Sequence, residues 1–295
     1  MEESYSARPL VGRWLALDLR PTRPLTFLGP SWAVICGAVA SGGLTLRAQT
    51  VIFLVFAVLL GDVLLGAWRS LWLQSDWRDA LRRAAANTPT WFLASDEASR
   101  WRIVRVWRQF ARRVRFFRTV IWPVIDADMV GMLMLGVLAL SVASVLGLLP
   151  VLLTLVAMVI ALIEGQIDVS HRVWLKTLLE FALPWLIAQS AFGSFSALSL
   201  FFTLVFTLVY RGLLGLSAAR EDRWIVWNNL AQLVAALVLF ANNAPAVAGL
   251  IALGLLAQVL WQSRYRVNRD GRAYVQRVQS YVLVAMLATS LALWL

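Results

Sequence analysis

One cysteine and one histidine are all that this chain of 295 residues carries of the two side chains most used for transition metals. Cys36 has no partner for an internal disulfide, and with a lone His171 it makes no zinc cluster, so both read as ordinary residues of apolar and interfacial surroundings. Charge is scarce too. Charged residues make up 15% of the chain and hydrophobic ones 60%, whereas soluble domains are about a quarter charged and nearer half apolar. That balance excludes a soluble globular domain and leaves an integral membrane protein. Also missing is a sustained apolar core in the first 24 residues, which mix Glu2, Glu3 and Asp18 with Arg8, Arg13, Arg20 and Arg23. No cleaved signal peptide is expected there, and the first membrane helix serves as the insertion signal.

What the chain does have is a series of apolar runs separated by basic connections. Lysine and arginine outnumber acids by 27 to 16, a net charge of +11. A nucleic-acid partner is not expected, because the basic residues fall between apolar runs as positive-inside loops do. The expected fold is all-α and membrane-integral. Segment 1–24 is cytoplasmic, and a single membrane domain of nine spans fills 25–295, at about 25–46, 48–73, 129–148, 149–163, 173–192, 195–210, 224–240, 246–261 and 278–295. The amino end lies in the cytoplasm and the carboxyl end on the opposite side of the cell membrane. With that assignment every basic residue except Arg47 lies on or near the cytoplasmic side.

Within this frame several features stand out. The first span is rich in small residues (Gly29, Gly37, Ala38, Ala40, Gly42, Gly43), which let helices approach closely in lipid. Asp62 lies inside the second span, where an unpaired charge costs at least ~2.5 kcal/mol, so it is expected to face the bundle interior. The connection at 69–118 carries 12 of the 27 basic residues and four acids, Asp76, Asp79, Asp96 and Glu97. Its stretch RWRIVRVWRQFARRVRFFR predicts an interfacial amphipathic helix on the cytoplasmic face, with Pro123 marking the return to the membrane. Arg172, Lys176 and Glu180 are spaced by four, which predicts one helical face and a Lys176–Glu180 pair. Pro184 interrupts span five.

Two cytoplasmic span ends carry carboxylate pairs, Asp76 with Asp79 after span two and Glu221 with Asp222 after span six. Positions i and i+3 share a helical face, so Asp76 and Asp79 are spaced to offer oxygens to one cation. Mg²⁺ is typically held by one or two carboxylates plus substrate phosphates, which suits two acidic helix ends facing a diphosphate. Arg78, Arg82, Arg83, Lys176, Arg220 and Arg223 are the candidate partners of its phosphate oxygens. Solvated interfacial acids balancing nearby arginines would give the same pattern.

From Arg23 to Leu295 the chain resembles the UbiA superfamily of intramembrane prenyltransferases. Arg23-Pro24-Leu25-Thr26 is similar to the family's Arg-Pro or Lys-Pro start before its first helix. SDWRDALRR matches the first family motif, N-D-x-x-D-x-x-x-D, at Asp76 and Asp79, with Ser75 for the asparagine and Arg83 for the last aspartate. The second motif, D-x-x-x-D, has Ala218 in its first position and Asp222 in its second, with Glu221 as an extra acid. The resemblance implies nine helices and a Mg²⁺-dependent transfer of an isoprenyl chain from its diphosphate to a lipophilic acceptor, in a chamber open to lipid. The incomplete motifs keep a second reading, a non-catalytic lipid-binding or assembly subunit with a membrane-protein partner. A third, a small-solute transporter, looks to a broken helix at Pro184.

Overall fold

A computed structural model describes residues 28–45, 47–74, 102–167, 169–193, 195–219, 223–268 and 271–294. Every regular element among them is helical. They join into nine rods. The first, α1, is Pro30–Ala40. Rod α2 covers 48–74, as Ala48–Val58, a π-helical turn Leu59–Leu64 and Leu65–Gln74. Rod α3 covers 102–146, as Arg102–Phe116, a π turn Phe117–Ile121 and Trp122–Leu146. Next come α4, Leu148–Glu164, and α5, which covers 169–192 as Val169–Thr177, a π turn Leu178–Ala182 and Leu183–Phe192. The last four are α6 (Ala197–Ala219), α7 (Arg223–Ala241), α8 (Pro245–Asn268) and α9 (Gly271–Trp294).

Among the described residues six helices are long and apolar enough to cross a membrane: Ala48–Leu73, Met129–Leu146, Ala197–Ser217, Arg223–Ala241, Pro245–Ser263 and Gly271–Trp294. The protein is therefore a multi-pass membrane protein. Helix α1 is shorter than the 25–46 run suggests. Its 11 residues rise only about 16 Å, roughly half the hydrocarbon layer.

Two apolar cores share α1. One joins Val34 and Ala38 of α1 to residues of α2, α3, α4 and α5, among them Leu60, Trp68, Ala143, Ala157 and Ile187. The other joins Leu28, Ala33, Cys36 and Ala40 to α6 through α9, and reaches Phe181 and Trp185 of α5. At the seam a buried aromatic column crosses from α5 to α6, with Phe181 against Tyr210 at 5.2 Å and Trp185 against Phe206 at 6.2 Å. Glycine permits the closest approach. A Cβ on Gly37 would overlap the Trp185 carbonyl, one on Gly43 the Phe192 carbonyl, and one on Gly193 the Ser41 carbonyl. Thus α1 and the second half of α5 run side by side in the same direction, with backbone against backbone. The small residues of the first span are used as expected at Gly37 and Gly43, whereas a Cβ at Gly29 would meet nothing within 4 Å.

Both prolines stand where the α-helical ladder is interrupted, as expected, but neither ends its rod. Helix α5 continues through Pro184, and α3 through Pro123. Each proline stands two residues beyond a π turn, where the looser ladder absorbs the missing N–H. At the α5 turn the Leu183 N–H reaches the Leu178 carbonyl, five residues back. The α2 turn has the same bond, from Leu65 N–H to Leu60 carbonyl, but no proline follows it within α2. Two neighbouring helices touch it. Gly61 meets Val34 of α1 and Pro184 of α5, and Asp62 accepts a hydrogen bond from the Ser31 hydroxyl in the first turn of α1. Asp62 thus turns inward, as its depth in the span requires.

Side-chain contacts sort the rod ends. Trp72 of α2 lies where a Cβ on Gly165, just past α4, would fall. Trp174 of α5 meets Trp224 of α7 at 6.3 Å, and Gly271 of α9 abuts the Leu216 carbonyl of α6. The carboxyl ends of α2, α4 and α6 therefore lie at one end of the bundle with the amino ends of α5, α7 and α9. At that end are Arg69, Arg172, Lys176, Arg211, Arg223, Arg272 and Arg277, while Arg47 caps α2 at the other.

Candidate functional site

A closed charged cluster lies inside this basic end. Arg69 is four residues from the end of its span at Leu73. Its guanidinium grips Glu164 of α4 through a fork, Nε to Oε2 at 2.6 Å and Nη2 to Oε1 at 2.7 Å. The remaining nitrogen, Nη1, donates to Glu180 Oε1 of α5 at 2.7 Å. The other Glu180 oxygen accepts the Tyr210 hydroxyl of α6 at 2.8 Å. Lys176 approaches Glu180 Oε1 at 3.9 Å. The Arg69, Glu164 and Glu180 side chains are 15%, 4% and 14% exposed, Lys176 42%.

Each part follows from its helix. The π turn at Leu178–Ala182 carries Glu180 on the inward face that also holds Phe181. Glu164 closes α4 and is buried. Arg69 lies seven residues, about two turns, beyond Asp62, so both face the interior. Arg69 with Glu164 and Glu180 sums to −1, and Lys176 brings the cluster to zero. Neutrality matters here, because buried charges in lipid persist only when paired and hydrogen-bonded. All four carboxylate oxygens and all three guanidinium nitrogens are engaged. As built, the cluster fastens α2, α4, α5 and α6 together at the seam of the two cores.

A second polar system crosses α7, α8 and α9. Gln232 and Gln258 exchange amide hydrogen bonds at 2.7 and 2.9 Å, and Asn228 adds a third to Gln258 Oε1 at 3.3 Å. One turn on, Asn229 and Gln262 form the same reciprocal pair, and Gln262 donates to the Tyr274 hydroxyl at 3.3 Å. A Gln258→Leu change would strand the Gln232 amide and remove a partner of Asn228, both buried. It is expected to cost about 1–3 kcal/mol, measured by unfolding in mixed micelles, with Gln262→Leu nearer the low end because Gln262 is less enclosed.

The stretch from Arg211, expected as a polar connection, is instead the last turns of α6, which run to Ala219. Arg211 is buried there because two tryptophan faces receive it, with its guanidinium carbon 4.2 Å from the Trp224 ring and 5.3 Å from the Trp174 ring. The basic stretch at 264–277 is likewise largely helical, in α8 and α9.

Of the predicted site residues, Asp76, Asp79, Glu221 and Asp222, with Arg78, Arg82, Arg83 and Arg220, lie outside the described residues. Lys176 and Arg223 are described. Lys176 is half-exposed beside Glu180. Arg223 is exposed at the start of α7, 5.8 Å from the Trp224 ring. The expected Lys176–Glu180 pair is present as the outer and longer contact, and the principal partner of Glu180 is Arg69. Among the described residues no three histidine, cysteine or acidic side chains converge as metal ligands.

Sequence reasoning assigned Arg69 and Glu164 to connections. The available signal was charge balance: one arginine and two glutamates set in or at the ends of three largely apolar rods. No family model, no curated protein and no solved structure matches the chain.

Proposed function

We propose that the protein is a divergent UbiA-like prenyltransferase of the cell membrane, with nine spans, the amino end in the cytoplasm and the carboxyl end outside. The observation that carries the proposal is the placement of two helix ends. Helices α2 and α6 both terminate at the basic end of the bundle, so the segments bearing Asp76 with Asp79 and Glu221 with Asp222 leave from one face. The distribution of arginines supports the orientation, since positive loops stay inside. The sharing of α1 and α5 by the two cores, one with α2–α4 and the other with α6–α9, supports a single domain built around a central seam.

In this reading a diphosphate binds at the basic face, where Arg78, Arg82, Arg83, Lys176, Arg220 and Arg223 neutralise its oxygens. Asp76, Asp79, Glu221 and Asp222 would hold Mg²⁺, which would supply further charge neutralisation of the leaving group. The allylic carbon–oxygen bond breaks with its electron pair going to diphosphate. A lipophilic acceptor then bonds to the allylic carbon and releases a proton. The apolar bundle shields the reacting carbon from water.

The experiment is turnover. Purified protein in lipid discs is expected to release diphosphate from a C10 to C20 prenyl diphosphate in Mg²⁺ with a lipophilic phenol as acceptor, and Asp76→Ala is expected to abolish release without changing unfolding. The closed Arg69 cluster favours a second reading, a non-catalytic subunit, in which these acids are solvated surface groups. Absence of release from every donor, with function in cells retained by the neutral variants, supports that reading instead. For a transporter the expected sign is a broken helix at Pro184, where α5 has a π turn just before that residue and then continues.

A further inference from the structure

Rod α3 is two helices in one. Its second part holds the span Met129–Leu146, and its first part, Arg102–Phe116, is the most basic helix among the described residues. Residues 102–118 contain seven arginines and no acid. Trp107, Phe110, Val114 and Phe117 recur at offsets of three, seven and ten, so they form one helical stripe. That stripe is uncovered: Trp107 is 70% exposed, Phe110 57% and Val114 48%. These values match those of Leu133 and Val137 in the span, 69% and 57%. Residues so exposed in the span are covered by lipid tails. Here Arg113, Arg115 and Arg118 are exposed around the same turns, so hydrocarbon on all sides is excluded, and water on all sides would leave an aromatic stripe wet.

We infer that Arg102–Phe116 is a lipid-reading arm that lies in the anionic headgroup layer at the basic end of the bundle, its Trp107–Phe110–Val114 stripe turned into the acyl boundary and its arginines on lipid phosphates. The chemistry of both faces fits that one partner, since a basic amphipathic helix with an aromatic face buries about 5–10 Å into such a boundary and arginine pairs with phosphate. In this placement the rod bends from the span to the surface at the π turn Phe117–Ile121 and Pro123, since sharp bends in helices occur at prolines and π-bulges. The arm does not depend on prenyl transfer. It gives the protein a sensor for anionic lipid at the face where the proposed diphosphate enters.

The test places a nitroxide on Val114→Cys in the full chain. Cys36 is buried, and labelled parent protein measures its background. Discs of phosphatidylcholine alone are compared with discs containing about one-third phosphatidylglycerol, a charge density that attracts basic segments. In anionic discs the label is expected to be shielded from a water-soluble nickel chelate and open to oxygen, whereas a label on Arg115→Cys remains open to the chelate. The change Arg113→Glu with Arg115→Glu and Arg118→Glu is expected to raise chelate access at the Val114 site several-fold. These three side chains are exposed, and unchanged unfolding of the bundle confirms that the variant is folded. Three results overturn the inference: a Val114 label open to chelate in anionic discs, shielding that survives the charge reversal, or shielding just as strong in phosphatidylcholine discs, which would mean that anionic lipid is not what holds the stripe.

Discussion

Replacing Arg69 by methionine is expected to destabilise the bundle by about 3–5 kcal/mol, the largest effect of any single substitution among the described residues. The reason is the charge left behind. Glu164 is 4% exposed and loses both of its guanidinium bonds, and Glu180 keeps only the Tyr210 hydroxyl and the distant Lys176 ammonium. Arg69→Lys is expected to recover part of the loss, since an ammonium keeps the charge but not the fork to Glu164. The decisive comparison is the triple variant Arg69→Met, Glu164→Gln and Glu180→Gln. With no buried charge remaining, it is expected to be more stable than Arg69→Met alone. Unfolding in mixed micelles measures all of these, and a triple variant as unstable as the single one would show that the cluster acts through shape rather than charge.

A single added methyl group at Gly37 is also expected to be damaging. The new Cβ meets the carbonyl and Cα of Trp185, backbone atoms that no rotamer change moves. Helices α1 and α5 must separate, and with them the seam that both cores share, at a cost of about 1–3 kcal/mol or somewhat more. Gly66→Ala is the control. Its Cβ meets nothing within 4 Å, and replacing glycine by alanine inside a helix favours folding by roughly 0.5–1 kcal/mol. Opposite signs for two glycine-to-alanine changes in neighbouring helices would identify close approach as the cause. Equal signs would place α1 farther from α5 than the structure has it.

The sequence made the membrane character, the helical rods and their rough bounds legible, because an apolar run of about 20 residues admits few other structures. The inward turn of Asp62 was legible from cost alone. The pairing of Glu180 was legible only halfway. Helical spacing points to Lys176, four residues away, but spacing along one helix says nothing about Arg69 on another, and the shorter bond is the one between helices. Arg69, Glu164 and Arg211 were read as connections for a common reason. A charge at the end of an apolar run looks solvated until the partner that buries it is known, whether two carboxylates or two tryptophan faces. The amide pairs of α7 and α8 escaped because Asn228 with Gln232 and Gln258 with Gln262 each repeat at four residues, the spacing of any polar helical face.

The central claim is that Asp76 with Asp79 and Glu221 with Asp222 act together on one diphosphate at the basic end, and direct binding tests it most sharply. Titration of farnesyl diphosphate into the protein in lipid discs is predicted to show one site that requires a divalent cation. That site is predicted to be lost in Asp76→Asn and equally in Asp222→Asn, while Arg69 and its glutamates stay intact. Binding that survives either substitution, or is absent from the folded parent protein with Mg²⁺ present, contradicts it.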